Sequence, residues 1–153
     1  MKSGFSRVAR VIWFLRHAEA VDGHPDHLRE LTEKGRKQSE AAGKALAALG
    51  VEFDLCLTSP KIRARDTALI ACAHLGIEPV EDESLSGGPF DPEALAAGLG
   101  DEVLLVGHDP DFSMAVHSLT GAQVRLRKGG LAGIEKGELV VLMRPRELKA
   151  IAG

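Results

Sequence analysis

Three short segments of this sequence end in residues that suit an anion. Arg16-His17 follows the apolar run Val11-Ile-Trp-Phe-Leu15, Arg63 lies one turn beyond Ser59-Pro60, and Gly107-His108 follows a second apolar run. Arginine presents a planar fork of donors that matches phosphate oxygens in pairs. Two such forks can hold the equatorial oxygens of a phosphoryl group as charge spreads during transfer. A neutral imidazole can attack phosphorus. A second, protonated imidazole adds charge against the anion and can help move protons. Taken singly, each residue has a plain reading: strand-end charge in water for Arg16, a satisfied core histidine for His17, a solvated helix residue for Arg63, an ordinary turn for His108. Taken together, these cationic or cationisable groups repel one another unless an anion offsets them. A helix N-terminus favours phosphate for the same reason. No carboxylate cluster accompanies them, so the expected site needs no metal and no other cofactor, the arginines standing in its place.

The elements that must position these residues read as an alternation of strands and helices. Residues 11–15 form a continuous β-branched and aromatic run, as in a strand buried on both faces of a helix-covered parallel sheet. Thr32 suits an N-cap and Glu33 the positive helix end, and the Ala- and Leu-rich stretch that follows stops at Gly50. A second strand is predicted over 53–57. Ser59 as N-cap with Pro60 in the first turn then opens a helix bearing Ala68, Leu69, Cys72 and Leu75, ending at Gly76. Further expectations are a strand over 77–80, a loop over 81–91, a short helix over 92–99 and a buried strand over 103–106. A helix capped by Asp109 or Asp111 should run through Leu119. A hairpin should follow, with strands over 131–135 and 138–143 and its turn at Lys136-Gly137. This order predicts a three-layer α/β/α sandwich with a mostly parallel sheet, one domain over 1–153. Ligands of such sheets bind at the carboxyl ends of the strands, where Arg16, His17, Arg63 and His108 fall.

Composition narrows the function classes. With 153 residues, 44% hydrophobic and 27% charged, the chain is long and apolar enough for a real core and is not a disordered segment. Its formal net charge of -3 argues against non-specific nucleic-acid binding. Aromatics make up only 4%, with no Tyr, which argues against a base-stacking platform. Cys56 and Cys72 sit in Leu-Cys-Leu and Ala-Cys-Ala, read as two buried reduced thiols, and there is no C-x-x-C pair. The N-terminal stretch holds Lys2, Arg7 and Arg10 but no apolar core of signal-peptide length. The longest apolar runs fall far short of the roughly 18 residues that span a membrane. A soluble, cytoplasmic protein is expected. His24 and His27 suggest a metal pair on paper, but Pro25 lies between them in a loop, and substrate contact is the preferred role.

The same motifs carry a family resemblance. Leu15-Arg-His-Ala-Glu-Ala20 resembles the R-H-G signature of the histidine phosphatase superfamily, which includes the phosphoglycerate mutases. Ser59-Pro-Lys-Ile-Arg-Ala-Arg-Asp-Thr-Ala68 resembles its S-P-x-x-R-A-x-x-T-A segment. Gly107-His-Asp-Pro110 resembles its second-histidine motif, and Leu31-Thr-Glu-Lys-Gly35 the stretch after the first loop. The likeness spans most of the chain, in the right order. The short length, Ala18 in the first motif and Lys128-Gly-Gly-Leu-Ala132 look most like the SixA-type phosphohistidine phosphatases. The resemblance implies a phosphoglycerate mutase-like fold. It makes His17 the nucleophile that becomes phosphorylated, Arg16 and Arg63 the phosphoryl-binding pair, and His108 the second pocket histidine. Arg65 is not the family position, and helical geometry turns it away from Arg63. Ser59 is expected to cap its helix.

Two departures bear on the chemistry. Ala18 stands where the motif has Gly. Larger members carry a Glu acid in the loop after the third strand, where this sequence reads Glu83-Ser-Leu-Ser-Gly-Gly88 without a convincing equivalent; Glu19 and Asp22 are the candidate substitutes. A weak acid suits a labile P–N bond, which breaks readily once the leaving imidazole is protonated, whereas an alkyl phosphate needs the acid more. A short first loop implies an open site. The expected activity is therefore dephosphorylation of phosphohistidine on proteins. The alternatives are a small-metabolite phosphomonoesterase of the same superfamily and a non-catalytic module that binds phosphoproteins.

Overall fold

The computed structural model describes residues 8–153; Lys2 and Arg7, weighed above, lie outside them. The elements run β1 (Val11–Arg16), α1 (Glu33–Ala48), β2 (Leu55–Thr58), α2 (Ile62–Ala73), β3 (Pro79–Glu81), α3 (Pro92–Ala96), β4 (Glu102–Gly107), α4 (Asp111–Thr120), β5 (Leu131–Glu135), β6 (Glu138–Met143) and α5 (Pro145–Ala152). One six-stranded sheet has the order β3-β2-β4-β1-β5-β6. The pairs β3/β2, β2/β4 and β4/β1 are parallel, and β5 and β6 are antiparallel additions at one side.

The unbroken apolar runs have a direct cause. Val11, Trp13 and Leu15 point into one core with Ala42, Ala45 and Leu46 of α1, Ala68 and Cys72 of α2, and Leu148 of α5. Ile12 and Phe14 point the other way, into a core with Ala96 of α3 and Phe112, Ala115 and Val116 of α4. Alternate side chains thus face opposite helical layers, and both faces must be apolar. The result is the predicted three-layer sandwich with a mostly parallel sheet. β6 alternates exposed and half-buried positions, as an edge strand should. Cys56 and Cys72 are both buried and free, in the same core.

Element boundaries differ from the sequence reading at instructive places. Helix α2 begins at Ile62 with Lys61 as its N-cap, not at Ser59. The Ser59 side chain accepts from the Lys61 N–H in the turn before the helix and pairs with His108. Of the apolar residues the helix bears, Ala68 and Cys72 are buried whereas Leu69 is exposed. The loop over 81–91 contains a 3₁₀ turn at Glu83–Leu85 whose Leu85 is buried. The terminal helix α5 was not anticipated, although Pro145 in its first turn and Glu147 receiving the Arg144 N–H are start signals.

Candidate active site

The strand ends that carry the site are level with one another. In the β1/β4 register Arg16 stands beside Gly107. The backbone continues that alignment one step further: His17 N–H donates to the Gly107 carbonyl at 2.9 Å and Ser59 N–H to the Val106 carbonyl at 2.9 Å. His17 and His108 therefore leave adjacent parallel strands together, and their ring centroids lie 5.3 Å apart. Gly107 is required there: a Cβ would meet the Phe112 ring at 2.7 Å, and Phe112 packs edge-on against Phe14 beneath the site. Arg63 arrives from the first turn of α2, buried to 6% exposure. The loop after β1 is tied to α1 by close backbone contact. Thr32 N–H donates to the Glu19 carbonyl, and a Cβ on Gly35 would fall 2.0 Å from that oxygen.

These four side chains line one pocket of about 300 Å³, joined by Arg29, Lys61 and Lys128. His17 donates from Nδ1 to the Ala18 carbonyl at 2.7 Å, because a carbonyl can only accept. That fixes the tautomer and leaves the Nε2 lone pair available. Burial, opposed by that hydrogen bond and reinforced by Arg63, Arg16 and Lys128, pushes the His17 pKa down to about 4. Like-charge repulsion from the arginines is thus real but smaller than burial. His108 pairs through Nε2 with Ser59 Oγ at 2.8 Å. Burial first, then His17, Arg63 and Lys61, push it down to about 3. The surroundings thus hold His108 neutral, in contrast with the protonated second histidine read from sequence. A phosphoryl dianion among these groups would pull both values upward.

The buried side-chain nitrogens that lack a partner among the described residues are Arg16 Nε, Arg63 Nε and His108 Nδ1. An unpaired buried polar group costs about 1–3 kcal/mol, so native structures keep few of them. Here they cluster in one pocket, where phosphate oxygens would satisfy them. Other donors of the two guanidinium groups are engaged. Arg16 Nη1 donates to the Leu126 carbonyl at 2.8 Å, and Arg63 donates through Nη1 to the Asp26 carbonyl and through Nη2 to Asp26 Oδ2.

Arg65 lies outside the pocket and pairs with Asp66, as helical geometry predicted. The proposed acids also fall outside it. Glu19 accepts from Thr32 Oγ1 at 2.7 Å, and Asp22 is fully exposed with only a distant pair to Arg29. The carboxylate paired with Arg63 is Asp26, from the loop that holds His24 and His27. It pairs with Arg29, Lys61 and Arg63, and these contacts, Arg29's foremost, hold it down to about 2. The acidic residues that line the pocket itself are Asp109 and Asp111. Sequence carried faint signals for some of these: Lys61 lies inside the Ser59–Ala68 motif and Lys128 opens the Lys128–Ala132 segment. Among the described residues, no group of three or more His, Cys, Asp or Glu side chains is arranged to hold a metal ion, and His24 and His27 form no such group.

A family model described as "Histidine phosphatase superfamily (branch 1)" matches residues 12–87. An uncharacterized protein of Picosynechococcus sp. is 34% identical over 140 residues, 82% of this chain and 85% of the relative. The chain belongs to the histidine phosphatase superfamily. The mitochondrial serine/threonine-protein phosphatase Pgam5 of Drosophila mojavensis is 33% identical over 98 residues, 61% of this chain but 34% of that protein, so the likeness covers about a third of Pgam5. Among solved structures, the protein histidine phosphatase SixA complexed with tungstate has a TM-score of 0.77 at 22% identity, covering 91% of this chain and 99% of that one. Alpha-ribazole phosphatase of Shigella flexneri has a TM-score of 0.68 at 18% identity, covering 88% and 96%. At these identities the two structures speak for the phosphoglycerate mutase-like fold. No helix among the described residues is long and apolar enough to cross a membrane.

Proposed function

We propose that this protein is a metal-independent phosphatase, one domain over 1–153, that dephosphorylates phosphohistidine on proteins through a phospho-His17 intermediate. The observation that carries the phosphatase reading is the set of unpartnered buried nitrogens, Arg16 Nε, Arg63 Nε and His108 Nδ1, around the available Nε2 of His17. In the proposed reaction Nε2 attacks phosphorus while Arg16 and Arg63 hold the equatorial oxygens, so the attack becomes intramolecular. The bond from phosphorus to the substrate imidazole breaks, and that imidazole departs neutral because it entered already protonated. Water then displaces His17 from phosphorus, releasing inorganic phosphate and regenerating neutral His17. Placing Arg16, Arg63 and His108 in the phosphoryl-binding role follows the family motifs position by position.

The leaving group decides the substrate class. Asp26, the carboxylate nearest the clamp, is held ionised well below neutral pH. It can accept a hydrogen bond from a proton-bearing imidazole, but it is a poor donor to an alkoxide. This favours a phosphoramidate over a phosphomonoester, in keeping with the SixA fold likeness. The test is a substrate panel in excess chelator: a phosphohistidine protein, p-nitrophenyl phosphate, sugar phosphates and nucleotides. Phosphohistidine should be the preferred substrate, with activity undiminished by EDTA. Preference for one small phosphomonoester would install the metabolite reading, which the alpha-ribazole phosphatase likeness represents. Activity lost in EDTA and restored by a divalent ion would overturn metal independence.

A further inference from the structure

We infer that the basic groove beside the phosphoryl pocket binds an acidic polypeptide segment flanking the phosphorylated side chain. This rests on the reading that the substrate is a protein. The groove has a volume of about 600 Å³ and shares Arg16, Asp109 and Lys128 with the pocket, so the two form one continuous surface. Lys34, in the first turn of α1, stands on one wall, with Arg125, Arg127 and Lys128 on the other.

The second wall is built to present charge. Between α4 and β5 the chain runs irregularly, with Leu126 fully buried and Arg125 and Arg127 exposed on either side of it. The alternation is that of an extended segment anchored by one apolar side chain. The anchor reaches the site itself: the Leu126 carbonyl accepts from Arg16 Nη1, and Gly129 N–H donates to the carbonyls of Arg16 and His17 at 3.1 and 3.0 Å. A segment bound here would lie against the elements that hold the clamp.

The four cations have no hydrogen-bonded or ion-paired carboxylate among the described residues. The groove's own acids are engaged elsewhere, Glu19 with Thr32, and Asp109 with the N–H and hydroxyl of Ser113. A chain with net charge -3 thus concentrates net positive charge beside its candidate site, where Arg16, Lys34, Arg125, Arg127 and Lys128 outnumber the carboxylates of Glu19 and Asp109. Charge complementarity calls for an acidic occupant. All four side chains are exposed. A fixed second phosphate of a small molecule would call for buried forks like those of Arg16 and Arg63. Exposed, flexible cations spread along a groove suit carboxylates on a flexible chain instead, through individually weak and salt-screened pairs. The groove has no aromatic lining residue, which disfavours single-stranded nucleic acid.

The test is direct binding by fluorescence anisotropy, so it needs no turnover. A labelled, unphosphorylated dodecapeptide rich in Asp and Glu is compared with a Ser/Gly peptide, a single-stranded RNA and a small bisphosphate. The proteins are the wild type, Arg125→Glu/Arg127→Glu and Arg125→Gln/Arg127→Gln, each checked for folding by circular dichroism. The acidic peptide should bind the wild type at low salt, weaken by at least about tenfold in the charge-reversed variant and by less in the neutralised one, and fade as salt rises. The inference is overturned if the acidic peptide binds no better than the neutral one, if all three proteins bind it equally, or if the RNA or the bisphosphate binds more tightly. Peptide binding alongside a substrate panel without phosphohistidine preference would keep the groove as an acidic-peptide site but overturn its assignment to the segment flanking a phosphorylated histidine.

Discussion

His17 has one nitrogen committed to the Ala18 carbonyl and the other available, and it is neutral because it is buried more than because arginines surround it. In the proposed reaction His17→Ala should abolish turnover with the fold intact. Rapid quench with a phosphorus-labelled substrate should trap an acid-labile, base-stable phosphoenzyme. A label mapped to His108, or more than a few per cent residual turnover in His17→Ala, would reject the assignment. Arg63 and Arg65 lie two positions apart on α2 yet meet different surroundings, one in the pocket and one on Asp66. Arg63→Ala should lower kcat/KM by about a hundredfold, the usual cost of about 3 kcal/mol for a lost transition-state donor; Arg65→Ala should cost less than about tenfold. Equal losses would contradict this separation. The quartet Arg16, His17, Arg63 and His108 was legible because strand ends and a helix start point to one sheet edge. Asp26 and Arg29 were not legible as clamp contacts. They belong to a polar 3₁₀ turn and its flank without periodicity, and only the folded chain brings them to Arg63 and Lys61.

At the scale of elements, the loop after β1 is fixed by α1 rather than by its own length. Gly35 has no room for a side chain against the Glu19 carbonyl. Gly35→Ala should cost roughly 1–3 kcal/mol, the range for overpacking a tight contact, and lower activity by shifting the backbone after His17. Thermal melts and kcat/KM would check both, and an unchanged Tm would refute the close approach. Sequence reading succeeded where local chemistry and tertiary use agree. Thr32 caps α1 by accepting from Gly35 N–H, and Lys136 and Gly137 both adopt positive φ in the hairpin turn. It failed at Ser59, whose capping potential is diverted to a turn and to His108. It also passed over α5, whose core contribution is the single buried Leu148. One apolar anchor gives little periodicity to read.

For the whole molecule, the two histidines couple stability to pH. Each is near 6.5 when unfolded and pushed to about 4 or 3 when folded. Between those values the unfolded chain binds more protons, so stability falls as pH drops from about 6.5 towards 3–4 and is unaffected by these groups above that window. These shifts correspond to about 3 kcal/mol for each histidine, about 6 kcal/mol for the pair, by pH 4, a drop in Tm of roughly 12–24 °C for a chain of this size. His17→Gln/His108→Gln should flatten the slope of Tm against pH over that window; a slope unchanged in the double variant would assign acid sensitivity to other groups.

Asp26 carries a consequence for the end of the proposed catalytic cycle. Its carboxylate and backbone carbonyl already occupy the Arg63 fork, with Lys61 and Arg29 drawn to the same side chain. In the proposed reaction it would be a tethered competitor for the phosphoryl-binding arginine, present at high effective concentration because it cannot diffuse away. Free phosphate must displace it to stay, whereas a phosphoryl group delivered with a whole substrate brings further contacts to do so. The device would limit product inhibition at some expense of affinity. Asp26→Ala should therefore lower the inhibition constant of inorganic phosphate several-fold. An unchanged or raised constant would mean that Asp26 holds Arg63 in place without competing for the anion.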